Sequence, residues 1–232
     1  MIRLLLIPLL IAAATTWVMA RVSLYRSRQA LNAQSAPLRH PPILVQAERL
    51  ARALDMPEVK VMELKRDEVN GLADGDGRIF LTSGFLRKFG AGEVSAEEIA
   101  SVIAHELGHV AHGHVKRRTR DVMGQQTALM MVNMVVARVL PFVGPWIAAR
   151  LASTLMLKLS RRDEFEADAW ASALLIKAGI GTGPQKSLFR KLGALTGQDQ
   201  AALPPAWLMS HPRSEDRIAA IEANEKRWLA DI

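Results

Sequence analysis

Residues 95–115 read SAEEIASVIAHELGHVAHGHV. Ser95 and Glu98 have the spacing of a capping box, in which the hydroxyl accepts from the Glu98 amide and the Glu98 carboxylate reaches back. Ile99, Val102 and Ile103 follow at helical spacing, so a helix with an apolar face is predicted from about Ala96 to Val115. Inside it, His105-Glu106-Leu107-Gly108-His109 has the pattern H-E-x-x-H. Residues four apart share one helix face, so the imidazoles of His105 and His109 can reach a single cation. Glu106 sits about 100° round the helix and can reach a water on that cation without being a ligand. Zn²⁺ suits neutral imidazole nitrogen and brings the pKa of such a water to about 7. The carboxylate can then take the proton as hydroxide attacks a carbonyl. Gly108 leaves room for another segment to approach closely.

Two histidines do not complete a catalytic metal site, which needs a third protein ligand. Residues 160–168 read SRRDEFEAD. Glu164 and Asp168 are four apart and share a face. One carboxylate can bind the metal while the other accepts the second ring N–H of a liganding histidine, which fixes its tautomer. Taken alone, this stretch reads as a solvated acidic turn; the upstream motif gives it its meaning. His112 and His114 extend the motif helix, but His112 follows His109 by three residues and would need a different shell, so neither is counted as a ligand.

Around these two stretches, secondary structure is legible in patches. Residues 43–54 carry apolar side chains at helical spacing. Val59 to Leu64 alternates as a half-buried strand does. Residues 73–77 read ADGDG, a turn signal, and strands are expected near Asn70-Gly71-Leu72 and Ile79-Phe80-Leu81. Further helices are expected at 163–178, 183–192 and 214–229. The fold class is therefore α+β, helix-rich with one small sheet.

The chain has 232 residues, no cysteine and a net charge of +7. Without cysteine there is no disulfide, thiolate ligand or thiol nucleophile, and any metal is held by His, Asp or Glu. Five arginines and no acid precede Glu48, so most of the charge excess is terminal, and with one tyrosine in the chain no nucleic-acid stripe is expected. Leu4 to Ala20 is uncharged, lies between Arg3 and Arg21, and would span about 25 Å as a helix, near the lower limit for a membrane span. Val18-Met19-Ala20 resembles a signal-peptidase site, which would release the domain into the periplasm. Arg21, Arg26, Arg28 and Arg39 after the run, against Arg3 before it, favour an uncleaved inner-membrane anchor with the main domain cytoplasmic. The expected organisation is an anchor or signal segment at 1–28, a proline-containing linker at 29–42 and a catalytic domain at 43–232. Residues 122–158, apolar apart from Arg138 and Arg150, are too interrupted to span a membrane and are expected as a helical hairpin inserted between the two metal motifs.

The combination resembles the HtpX and CAAX prenyl protease family of membrane-linked zinc endopeptidases. Four stretches match in order: Asn70-Gly71-Leu72 with residues 78–84, His105 to His109, Ser160 to Asp168, and Ser210-His211-Pro212. The resemblance implies a zincin-type fold and a gluzincin ligand set of His105, His109 and Glu164 around one Zn²⁺ per chain. It implies Glu106 as the base, His211 as an oxyanion donor, Asp168 as partner of a liganding histidine, and Arg217 ordering the site through a carboxylate. It further implies that protein or peptide substrates are held extended by β-augmentation at an edge near Asn70, Gly71 and Leu72, and a role in membrane-associated protein quality control. A different class of function stays open: a non-proteolytic, zinc-stabilised peptide-binding or chaperone-like module.

Overall fold

A computed structural model describes residues 2–114, 117, 144–195 and 214–230. Two compact units emerge, one of residues 1–34 and 116–159, the other of 35–115 and 160–232.

The second unit is α+β. Its sheet has four strands, β1 (Ser35–Pro37), β2 (Val61–Leu64), β3 (Gly71–Ala73) and β4 (Ile79–Thr82), in the order β1-β2-β4-β3. β2 and β4 are parallel, with Val61 opposite Ile79, and the other pairs are antiparallel. All four residues of β4 are buried, as befits a strand paired on both sides and covered on both faces. The β3–β4 hairpin turns on Asp74. Its Oδ1 accepts from the Asp76 and Arg78 amides, its Oδ2 pairs with the Arg78 guanidinium, and Gly77 takes φ +84°.

Residues 29–42, expected as a linker, contain the end of one helix, strand β1 and the first turn of another. Pro37 fits because β1 is an edge strand, where a missing N–H is tolerated. Pro41 and Pro42 occupy the first turn of α2 (Pro41–Ala53), where the helix has no partner for those amides anyway. α3 (Ser83–Gly90), absent from the sequence-based expectation, starts at Thr82, whose hydroxyl accepts from the Phe85 amide.

α4 (Ala96–Ala111) begins with the predicted capping box, both bonds of which form. The remaining Glu98 oxygen accepts from Ser187 Oγ at 2.6 Å and pairs with Lys191 at 2.7 Å. Those residues lie on α6 (Gly183–Leu195), so one carboxylate ties two helices together. Ile99, Val102, Ile103 and Leu107 of α4 join Leu50 of α2, Leu81 of β4 and Leu188 of α6 in one hydrophobic core. α4 stops at Ala111 rather than near Val115. Gly113 follows its C-cap with φ +66°, the left-handed conformation with which helices commonly end.

α5 covers Gly144–Lys177 and is far longer than the expected 163–178. Gly144 and Pro145, within the stretch expected to be interrupted, open the helix, since proline suits its first turn. Residues 144–159 of α5 fall in the first unit and the rest in the second. Positions 122–143 of the expected hairpin, like Ser210, His211 and Pro212, lie outside the described residues. α7 (Ser214–Ala230) completes the second unit.

In the first unit, α1 spans Ile2–Gln34 and runs on through Arg21, Arg26 and Arg28. Trp17, Val18, Met19 and Tyr25 are exposed on it, and the Arg21 guanidinium lies over the Trp17 ring. Among the described residues, no helix is long and apolar enough to cross a membrane, so the expected membrane helix is seen as a helix and not as a span.

Candidate metal centre

α4 and α5 meet where the sequence leaves room. A Cβ on Gly108 would lie 2.9 Å from the Ala167 carbonyl oxygen and 3.1 Å from its Cα. The helices therefore touch backbone to backbone, and the residues either side of Ala167 face those either side of Gly108. Gly108→Ala is expected to force α4 and α5 apart by a few tenths of an ångström and to destabilise the protein by about 1–3 kcal/mol. Thermal unfolding checks this, and unchanged stability would contradict the close approach.

That contact brings His105, His109 and Glu164 together, all buried. His105 Nε2 and His109 Nε2 are 3.1 Å apart, and each is 3.3 Å from an oxygen of Glu164. Four ligands set tetrahedrally at the zinc–nitrogen distance of about 2.0–2.1 Å would be separated by about 3.3 Å. The two imidazole nitrogens and the Glu164 carboxylate, which offers Oε2 to His105 and Oε1 to His109, thus lie at the spacing that a small tetrahedral ion requires, and their types suit zinc.

The partners of these groups agree with that fit. His105 Nδ1 is 2.9 Å from Asp168 Oδ1. Asp168 is gripped in turn by Arg217 of α7, through Nε to Oδ2 at 2.5 Å and Nη2 to Oδ1 at 2.7 Å. The Arg217 guanidinium is buried, and it lies 4.3 Å from the centre of the Phe189 ring. Burial opposes ionisation of Asp168, but Arg217 and His105 outweigh it and hold the carboxyl down at about 2. Burial likewise opposes a charged His105, yet Asp168 and Glu164 outweigh it and raise the imidazole to about 9. The site therefore favours positive charge at His105, whether a proton or a metal ion supplies it. His109 is shifted the other way, burial keeping it below its ordinary value and neutral, as a metal ligand must be.

Glu106 is buried beside this cluster. Burial pushes it up to about 7, against the pull of His105 and a backbone hydrogen bond from Ala73. Ala73 belongs to β3, so the edge strand passes the carboxylate. β3 packs on α4 at Gly71, where a Cβ would lie 2.5 Å from Val102 Cγ1. Asn70 is occupied with its own turn: its amide donates to Thr82 Oγ1 and its Oδ1 accepts from the Gly71 amide. Leu72 sits opposite Phe80 in the hairpin.

Of the residues singled out in the sequence, His105, Glu106, His109, Glu164, Asp168 and Arg217 thus converge, with Asn70, Gly71 and Leu72 on the neighbouring strand and its approach. The sequence reading gave no part to Glu166 and discounted His114, yet these two pair beside His109, with His114 Nε2 3.2 Å from Glu166 Oε2. The signal that could have found them is Gly113, whose position after the motif implies a helix end and a returning chain.

Comparison with known proteins gives the same direction. The chain is 29% identical over 230 residues to the protease HtpX of Pseudomonas aeruginosa, covering 81% of this chain and 74% of that protein. It is 29% identical over 208 residues to a protease HtpX homolog of Chlorobium luteolum, covering 73% of this chain and 66% of the other. It is 28% identical over 200 residues to the beta-barrel assembly-enhancing protease of Escherichia coli, covering 80% of this chain but 39% of that protein. The chain therefore spans about two thirds of the Chlorobium protein and well under half of the Escherichia protein. The profile of Peptidase family M48 matches residues 37–225, a range that holds the buried His–His–Glu cluster and both helices that build it, and the chain belongs to that family of metallopeptidases.

Proposed function

We propose that this chain is a zinc-dependent endopeptidase of the zincin type that cleaves peptide bonds in proteins. The observation that carries the reading is the convergence of His105, His109 and Glu164 donor atoms at 3.1–3.3 Å, with a buried carboxylate, Glu106, beside them. His105, His109 and Glu164 would hold one Zn²⁺, which supplies Lewis-acid polarisation and an acidified water. Asp168, locked by Arg217, keeps the His105 proton on Nδ1 and its Nε2 free to ligate. Glu106 acts as general base and then returns the proton to the leaving amine. Its burial beside the cluster leaves it no bulk water to trade protons with, so the proton it takes is held for the leaving group.

The substrate side is read from β3. It ends the sheet order, pairs with β4 alone among the described strands, and passes Glu106 at Ala73. An extended peptide added along Asn70–Leu72 would gain backbone hydrogen bonds there, and cleavage would then favour unfolded or extended chains. His211 completes the scheme as oxyanion donor, on the strength of its sequence element alone.

Attachment to a membrane through α1, with the catalytic unit on the cytoplasmic face, is part of the same proposal. It is supported by the uncharged run Leu4–Ala20, the exposed Trp17, Val18 and Met19, and the arginines that follow them. Such a location suits a protease of membrane-protein quality control.

The test uses purified full chain and unfolded casein. Cleavage is expected with Zn²⁺ supplied, to be lost on chelation and to return on re-addition of metal. Protein that holds one Zn²⁺ and leaves casein intact would overturn the endopeptidase reading and favour a peptide-binding module.

A further inference from the structure

His114 lies just beyond α4 and is buried. Its Nδ1 is 2.9 Å from Nδ1 of His109. Its Nε2 is 3.2 Å from Glu166 Oε2, with Asp163 Oδ1 farther off at 3.8 Å. Arg162 Nε donates to the other Glu166 oxygen at 2.8 Å. This contact needs the helix to end. In a continued helix, a residue five positions on lies about 140° round from the first. Gly113, at φ +66°, turns the chain back and sets the His114 ring against His109.

We propose that His114 and Glu166 are positioning residues that lock His109 as a metal ligand, as Asp168 does for His105. The inference rests on the reading of His105, His109 and Glu164 as the zinc set. Proton bookkeeping then fixes every partner in turn. A neutral imidazole carries one N–H. His109 must keep its Nε2 lone pair for the metal, so its proton is on Nδ1. The atom facing that proton, His114 Nδ1, must accept it. The His114 proton is therefore on Nε2, where Glu166 accepts it, and Arg162 holds Glu166 in place. Polarisation along this chain raises the basicity of His109 and fixes its ring plane.

The same bookkeeping decides the role of a second cluster. His112, His114 and Glu166 also bring three potential donor atoms within 4.8 Å of one another. With His109 loaded, Nε2 of His114 carries a proton and cannot bind a metal. The cluster therefore serves the first centre and is not a second one.

Zinc affinity of the full-length protein, measured by competition with a chromophoric chelator, tests this without recourse to activity. His114→Ala and Glu166→Ala are each expected to weaken zinc binding by about 10–100-fold. His114→Asn should recover part of the loss, because its amide oxygen can stand where Nδ1 does and accept from His109. His112→Ala, at an exposed position, should bind as wild type does. Nitrogen-15 NMR of the zinc-loaded protein should place the His109 proton on Nδ1 and the His114 proton on Nε2. Wild-type affinity in His114→Ala, or a His114 proton on Nδ1, would overturn the proposal. Should His114→Ala fail to fold by circular dichroism, Glu166→Ala decides, and unchanged affinity there overturns it equally. A wild type that binds no zinc, or a His109→Ala variant that binds it equally well, sinks the underlying metal reading instead, so the two failures are told apart.

Discussion

Glu106→Gln is expected to lower the rate of peptide hydrolysis by about 10²–10⁴-fold, the usual contribution of a positioned general base, while leaving zinc stoichiometry unchanged. The substitution keeps size and shape and removes only the ability to accept a proton. Its effect on folding should be neutral or favourable. In the metal-free protein, burial raises Glu106 from 4.5 to about 7, so the folded state is penalised for holding the carboxylate ionised. That penalty is absent below the unfolded pKa of about 4.5, grows as pH rises, and is complete above about 7. Thermal unfolding of metal-free protein at pH 8 should therefore give the variant a Tm equal to or above that of wild type. A variant that keeps wild-type turnover would remove Glu106 from the mechanism.

The second large effect falls on stability. Arg217→Met is expected to destabilise the protein by about 3–5 kcal/mol, because it leaves Asp168 as a buried charge stripped of its main partner. Both side chains are almost fully buried, at 1% exposure each, so water cannot substitute. The pair also predicts the acid limit of the fold. Asp168 is held at about 2 against an ordinary 3.8, so its contribution is complete above about pH 4 and is lost as pH falls toward 2. Urea unfolding at pH 7 measures the first effect. A loss below about 1 kcal/mol would mean that Asp168 finds another partner or takes up a proton.

Elements whose cause is local were readable from the residues alone. The capping box, the apolar spacing of Ile99, Val102 and Ile103, and the turn at Asp74 announce α4 and the β3–β4 hairpin without help from distant residues. The elements that escaped depend on context. β1 hides behind Pro37, which looks like a linker residue until an edge strand accepts it. α3 has eight residues, too few for periodicity to show. Pro145 carries the same letter whether it breaks a helix or opens one, and here it opens α5. In the site, the spacing of His105 and His109 and of Glu164 and Asp168 marks their faces. Nothing near Arg217 marks it as buried, since its burial comes from Asp168 and Phe189, both remote in sequence. The position of His114 escaped for a similar reason. It was placed on a continuing helix, and only the turn at Gly113 brings it back to His109.

The reach of the Arg217–Asp168 clamp has a consequence for how the protein is made. Arg217 stands 112 residues after His105. At about 5–20 residues per second, a ribosome needs roughly 6–20 s to travel from one to the other. Throughout that interval the emerging polypeptide carries the histidine motif without the arginine that orders its carboxylate partner. A hydrolase built this way gains its working arrangement only once the helix that carries Arg217 has been made and has docked.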